Sequence, residues 1–235
     1  MSELLVKISN DLTIDIKKSK NILVAGRTGS GKSTFLHKII NGLINEPKEN
    51  LRLFLIDLKD TEFYKYANIK NLYKPYGPIS NDWGAVIFGL YDILDEIEDR
   101  KEKFAKSKAN NIDKYNELLS NEEKLPHIVI IIDEALEFFR ENTEGGHVLN
   151  WLACNSTSLG VHLIISTQRA NMVFPELKAN LQTRVCFRVA DKQDSMNVIH
   201  DKGAESLETG EFLYKSPHSY ESKKLKTQTI SSIAY

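Results

Sequence analysis

Residues 21–34 read NILVAGRTGSGKST, and this stretch decides the fold. Asn21–Ala25 is a short, continuous apolar run, the pattern of a strand covered on both faces. Gly26-Arg27-Thr28-Gly29-Ser30-Gly31-Lys32-Ser33 then fits G-x-x-x-x-G-K-[ST] without mismatch. From Ser33 to Ile44, the apolar residues Phe35, Leu36, Ile39, Ile40 and Leu43 fall at helical spacing. Strand, glycine-rich turn and helix is the context in which this pattern cradles phosphate. Glycines allow positive φ and let successive backbone N–H groups face one anion. The helix N-terminus adds partial positive charge at the same point. Lys32 is expected to reach the β- and γ-phosphates, and the Ser33 hydroxyl to ligate Mg²⁺. Gly26 through Thr34 is the expected nucleotide-binding segment.

Outward from this stretch, strands and helices alternate. Leu4–Ile8 and Leu12–Ile16 flank Ser9-Asn10-Asp11, which predicts a small N-terminal hairpin. Strands are expected at Leu51–Asp57, His127–Asp133, Val161–Thr167, Arg184–Val189 and Glu211–Tyr214. Helices are expected at Trp83 to about Ser107, Ile112–Leu119, Glu134–Arg140, Val148–Leu159 and Asp194–Ile199. Asn142–Gly146 reads as a polar loop, and Asp60–Ser80, with Pro75 and Pro78, as irregular. The charged run DEIEDRKEKFAKSK ending at Ser107 reads as a solvated helix face. This is an α/β chain with a mostly parallel sheet flanked by helices. It divides into a hairpin (1–20), a main domain (21–214) and a flexible Lys/Ser-rich tail (215–235).

Four β-branched residues, Ile128 to Ile131, push Asp133 to the C-terminal end of its strand, where parallel sheets bind ligands. Asp133 is expected in the Mg²⁺ shell, and Glu134 is placed to polarise a water. An NTPase that carries its own base is favoured over a switch GTPase. No N-K-x-D guanine-reading motif is present in the expected region, so ATP is the expected nucleotide. Thr167-Gln168 ends the next strand. That strand is expected between the phosphate-loop strand and the acid-pair strand, with the Gln168 amide facing the γ-phosphate.

Composition narrows the class. The net charge is −1, so contact with nucleic acid must come from local patches or from several copies. Two cysteines, Cys154 and Cys186, exclude a disulfide framework and read as reduced, buried thiols. His127, His147 and His162 lack ligand spacing, so no zinc site is expected. Nothing in the chain reads as a membrane span or signal peptide, which points to a cytoplasmic protein.

Several blocks together resemble the motor domain of the FtsK/SpoIIIE/HerA superfamily of DNA-translocating ATPases. They are NILVAGRTGSGKST, LRLFLIDLKDTEF, RKEKF…NIDKYNEL, LPHIVIIIDEALEF, LGVHLIISTQRA, KANLQTRVCFRVADKQDSMNVI and GAESLETGEFLY, in order from about residue 20 to residue 214. The resemblance implies a RecA-like ATPase assembled as a ring, usually a hexamer, with ATP between subunits and double-stranded DNA in the channel. Motif matching gives Lys32 and Ser33 the phosphate-loop roles, Asp133 and Glu134 the metal and catalytic-acid roles, and Gln168 the sensor role. Gln168–Asn180 resembles a channel-facing loop, which makes Arg169 and Lys178 the DNA-contact candidates.

One departure stands out. Many relatives carry an arginine before the G-[IV]-H strand that reaches the neighbour's ATP. Here the matching position is Thr157, and no Arg or Lys lies between Asn142 and Gly160. Arg184, Arg188 and Arg140 are the candidate replacements. The expected function is ring-forming, ATP-driven translocation of double-stranded DNA, by a minimal motor, either a small protein of a mobile element or phage or an excised motor domain. It would make no direct membrane insertion and would allow a membrane or portal partner. The alternatives are an ATPase module of a type VII-like secretion system, which LIDLKDTEF and PELKAN also resemble, and a weakly active nucleotide-binding scaffold.

Overall fold

The computed structural model describes residues 4–45, 50–59, 61–73, 77–78, 82–136 and 143–227. Strand β3 (Ile22–Ala25) leads into α1 (Lys32–Ile44), and β4 (Leu51–Asp57) follows. After α2 (Trp83–Ser107) and α3 (Ile112–Glu117) come β5 (His127–Asp133), α4 (Thr143–Asn155) and β6 (Val161–Thr167). The short α5 (Pro175–Asn180), β7 (Thr183–Phe187), α6 (Lys192–Ile199), β8 (Glu211–Lys215) and β9 (Lys223–Lys226) complete the order.

The sheet runs β4-β5-β6-β3-β7-β8-β9. Its first five strands are parallel, and β8 and β9 are antiparallel additions. β6 lies between β3 and β5, as expected from the sequence, so the ends of the phosphate-loop and acid-pair strands flank Gln168.

Alternation along the buried strands divides their side chains between two cores, one on each face. Leu23, Phe54 and Ile130 join Val86, Leu90 and Ile97 of α2. Val24, Leu55 and Ile131 join Phe35, Leu36 and Ile39 of α1. The hairpin β1 (Leu5–Lys7) and β2 (Thr13–Asp15) belongs to this second core through Leu4, Val6, Ile8 and Ile14. It rests on α1 at Gly42, where a Cβ would come within 2.7 Å of the Val6 side chain.

Four expectations are corrected. Arg100, inside the charged run read as a solvated face, is 1% exposed. Its guanidinium donates to the carbonyls of Leu159 (2.5 Å) and Pro126 (2.7 Å) and to the Glu96 carboxylate. Helix α4 begins at Thr143, within the segment read as a loop, and buries Gly145 and Gly146. Tertiary burial there outweighs the roughly 1 kcal/mol that each glycine costs a helix. The tail read as flexible from residue 215 contains β9, which pairs with β8 through residues 211–214. Cys154 is exposed while Cys186 is buried, and both are free thiols.

Both sides of the sheet are covered or blunted. Leu53 of β4 exchanges hydrogen bonds with Asn71 (2.7 Å) and Tyr73 (2.9 Å) of the following loop. β9, at the other side, carries Lys223, Lys224 and Lys226.

Candidate functional site

A cavity of about 390 Å³ opens at the C-terminal edge of the parallel strands. Gly29, Gly31, Lys32 and Ser33 of the loop after β3 form one wall, and Asp133, Glu134 and Gln168 from the ends of β5 and β6 form the opposite one. The loop needs its glycines. Gly31 caps α1 at φ 116, and a Cβ there would meet Phe187 at 3.1 Å and Gly210 at 3.2 Å. Gly210 N–H donates to the Ser30 carbonyl (2.9 Å), so the turn before β8 supports the loop from behind.

Lys32 is 8% exposed and donates to the carbonyls of Gly26 (2.7 Å) and Arg27 (3.2 Å). Burial pushes its ammonium below the ordinary lysine value, with Glu134 and Asp133 opposing. Glu134 sits at φ 53 and is 6% exposed. Its carboxylate accepts from the Gln168 amide nitrogen (2.5 Å) and backbone N–H (3.3 Å). The Gln168 carbonyl oxygen in turn accepts from the Thr28 hydroxyl (2.9 Å). A continuous chain therefore links loop, sensor-position amide and acid.

Ser33 and Asp133 bring a hydroxyl and a carboxylate to the same cavity, the hard oxygen donors that suit Mg²⁺ shared with phosphate. Burial pushes the Asp133 carboxyl above its ordinary value, and Asp57 and Glu134 add repulsion. A divalent cation would relieve both. Among the described residues no cluster of three or more His, Cys, Asp or Glu could hold a metal by itself. One hydroxyl and one carboxylate would suit a cation that shares its shell with phosphate oxygens.

Sequence reasoning assigned no role to four residues that also line this cavity: Lys59, Thr61, Glu62 and Thr209. Lys59 lies 3.6 Å from the Glu134 carboxylate. The signal was present, since LIDLKDTEF carries the end of a buried strand and the turn after it, but a single strand's sequence does not say which loop it faces.

The other candidates are dispersed. Arg169 is exposed, one residue beyond Gln168. Lys178 is half-buried in α5, and burial together with Arg184 pushes its ammonium below the usual value. Arg184 is 7% exposed and donates to the carbonyls of Val198 (3.3 Å) and Lys178 within its own chain. Arg188 is half-buried beside the copy's own phosphate loop, its carbonyl accepting from Arg27 N–H (2.9 Å). Arg140 lies outside the described residues.

Thr157 is at the opposite end of β6 from Gln168, in a second cavity of about 680 Å³. That cavity also takes in Lys17, Lys18 and Lys20 and the edges of His127 and His162. The two imidazoles, far apart in sequence, stack at 5.4 Å with Nδ1 of His127 3.1 Å from Nε2 of His162.

The FtsK/SpoIIIE family profile matches residues 4–208. The chain is 37% identical over 220 residues to the DNA translocase FtsK of Campylobacter jejuni, covering 89% of this chain and 23% of that protein. It therefore spans about a quarter of that relative's length. Among solved structures, the pCW3 conjugation coupling protein TcpA with ATPγS superposes with a TM-score of 0.82 at 26% identity, covering 95% of this chain and 64% of that one. The cytoplasmic domain of the type VII secretion ATPase EccC of Thermomonospora curvata shares the fold, with a TM-score of 0.81 at 22% identity over 97% of this chain and 28% of that one. No helix among the described residues is long and apolar enough to cross a membrane.

Proposed function

The chain belongs to the FtsK/SpoIIIE family, and on that premise we propose that it is an ATP-driven motor for double-stranded DNA, working in the cytoplasm as one copy in a ring. The observation that carries the proposal is the convergence of Lys32, Ser33, Asp133, Glu134 and Gln168, from three adjacent parallel strands, on one cavity.

The backbone amides of Gly29–Lys32 and the Lys32 ammonium bind the β- and γ-phosphates of ATP. Lys32 exchanges the loop carbonyls for phosphate oxygens as it does so. Ser33 and Asp133 would hold Mg²⁺, which when bound would neutralise charge on the phosphates. Glu134 orients the attacking water and takes its proton. Gln168 bonds to both Thr28 and Glu134, so a change at the γ-phosphate reaches the end of β6 directly. Arg169 and Lys178, on the segment after β6, contact DNA phosphates. With a net charge of −1, the electrostatic grip comes from several copies presenting the same cations around one duplex.

Steady-state ATP hydrolysis, with and without linear duplex DNA and at two salt concentrations, tests this reading, with Lys32→Ala as control. The expected result is turnover stimulated by duplex and weakened by salt, and abolished in Lys32→Ala. Turnover indifferent to DNA would favour a secretion-type ATPase. Nucleotide binding without turnover would favour a scaffold subunit.

A further inference from the structure

We propose that Lys59 is a second phosphate-contacting cation, one that reads the terminal phosphate of a triphosphate. This rests on the nucleotide reading of the cavity given above. Lys59 leaves the end of β4, three strands away from the phosphate-loop strand, and still lines the same cavity as Lys32. Its ammonium is 3.6 Å from the Glu134 carboxylate, in a side chain that remains 45% exposed. A loose, half-solvated ion pair of this kind gives up little when a better anion arrives.

The loop that presents Lys59 is built to hold it in place. One carboxylate, Asp57, accepts the backbone N–H of Lys59 (3.2 Å), Thr61 (2.9 Å), Glu62 (2.6 Å) and Phe63 (3.0 Å). Farther along, Phe63 and Tyr66 are buried against His37 of α1, the helix that starts at the phosphate loop. His37 bonds to the Tyr66 hydroxyl (2.9 Å) and the Glu62 carboxylate (2.9 Å). The Lys59 loop is thus tied at one end to β4 and at the other to α1. Asp57 is fully used in this, which explains a buried carboxylate beside the metal-site aspartate that does not itself line the cavity.

The placement of the cations gives the specificity. The amides of Gly29–Lys32 would anchor one end of a phosphate chain, and Lys59 lies beside Glu134 on the β4–β5 side of the same cavity. A chain laid from the loop toward Glu134 brings its last phosphate to Lys59. A diphosphate held on the same amides stops short of it.

The test is equilibrium titration of wild type, Lys59→Ala, Lys59→Arg and Lys32→Ala with MgADP and with the magnesium complex of a non-hydrolysable ATP analogue. In Lys59→Ala the triphosphate analogue is expected to weaken about tenfold or more, because a charge-assisted contact is lost, while ADP affinity stays within about twofold. Lys59→Arg is expected to recover most of the difference. Equal weakening of both nucleotides would assign Lys59 a structural role and overturn the proposal, as would no change in either. Wild type binding neither nucleotide, or Lys32→Ala binding as wild type does, would overturn the nucleotide site itself, and the role of Lys59 with it.

Discussion

Asp57 and Asp133 stand in register across the parallel β4–β5 pair, and of the two only Asp133 lines the nucleotide cavity. Asp133 presents its carboxylate to the phosphate loop. Asp57 turns its own back onto four amides of the loop that follows it. Chain position makes these residues alike, and the loops after them make them different.

Removing the Asp57 carboxylate therefore unties the Lys59 loop. Asp57→Ala is expected to cost about 2–3 kcal/mol, since the Phe63 N–H is buried and the other three gain only partial access to water. Asp57→Asn keeps one acceptor oxygen and is expected to lose about half as much. Urea unfolding followed by circular dichroism reads both values, and equal stability of all three proteins would sink the account of the loop.

Glu134 holds a left-handed backbone conformation that costs a side-chain-bearing residue about 1–2 kcal/mol. Glu134→Gly is expected to unfold at a higher temperature than wild type while losing turnover. Glu134→Gln keeps the shape and the strain; it should bind ATP and hydrolyse it about 10²–10⁴-fold more slowly. A glycine variant that is less stable than the glutamine variant would show that the bonds to Gln168 outweigh the strain.

Arg100 is the buried charge of α2, and its donors satisfy the carbonyls at the entrances to β5 and β6. Arg100→Met fills a similar volume but orphans both carbonyls and leaves the Glu96 carboxylate with the Tyr73 hydroxyl (3.1 Å) and no cation. The expected loss is about 3–5 kcal/mol, read as a shift in denaturant midpoint. A loss under about 1 kcal/mol would return this stretch of α2 to the solvated face that its charge suggests.

The paired imidazoles make stability pH-dependent in a defined direction. Burial pushes His162 down to about 3 and His127 below its ordinary value, while His127, 3.7 Å from the Asp113 carboxylate, together with Lys17, holds the Asp113 carboxyl low. Between about pH 6.5 and 3 the unfolded chain binds more protons than the folded one, so stability is complete above pH 6.5 and falls as pH falls. A loss on the order of 2 kcal/mol from His162 is expected at pH 5. Unfolding of wild type and His162→Gln at pH 7.5 and pH 5 measures it, and identical pH dependence in the two proteins would refute the assignment.

The parallel core was legible because its strands announce themselves. His127–Asp133 and Val161–Thr167 are apolar runs with β-branched residues, and the structure places both strands at those residues. The phosphate loop and acid pair were legible because each is continuous in sequence. What escaped was contact across the fold. Arg100 reads as one charge among many, because its carbonyl partners lie 26 and 59 residues away. His127 and His162 carry no mutual spacing rule, since their stacking is set by the β5–β6 register. Lys59 reaches the cavity only because β4 folds back beside β5. β9 is short and rich in lysine, so nothing but its pairing to β8 marks it as a strand.

The covered and blunted sides of the sheet limit how copies can associate. Asn71–Tyr73 occupies the outer hydrogen bonds of β4 at Leu53, and the lysines of β9 repel a strand that would add beside it. One continuous sheet running through several copies is thereby disfavoured, and so is edge-to-edge growth into fibres. Copies that associate would do so through helix faces and loop tips, joints that can slip and re-form without breaking a ladder of backbone bonds. Joints of that kind can be remade in a new arrangement, where a welded seam could not.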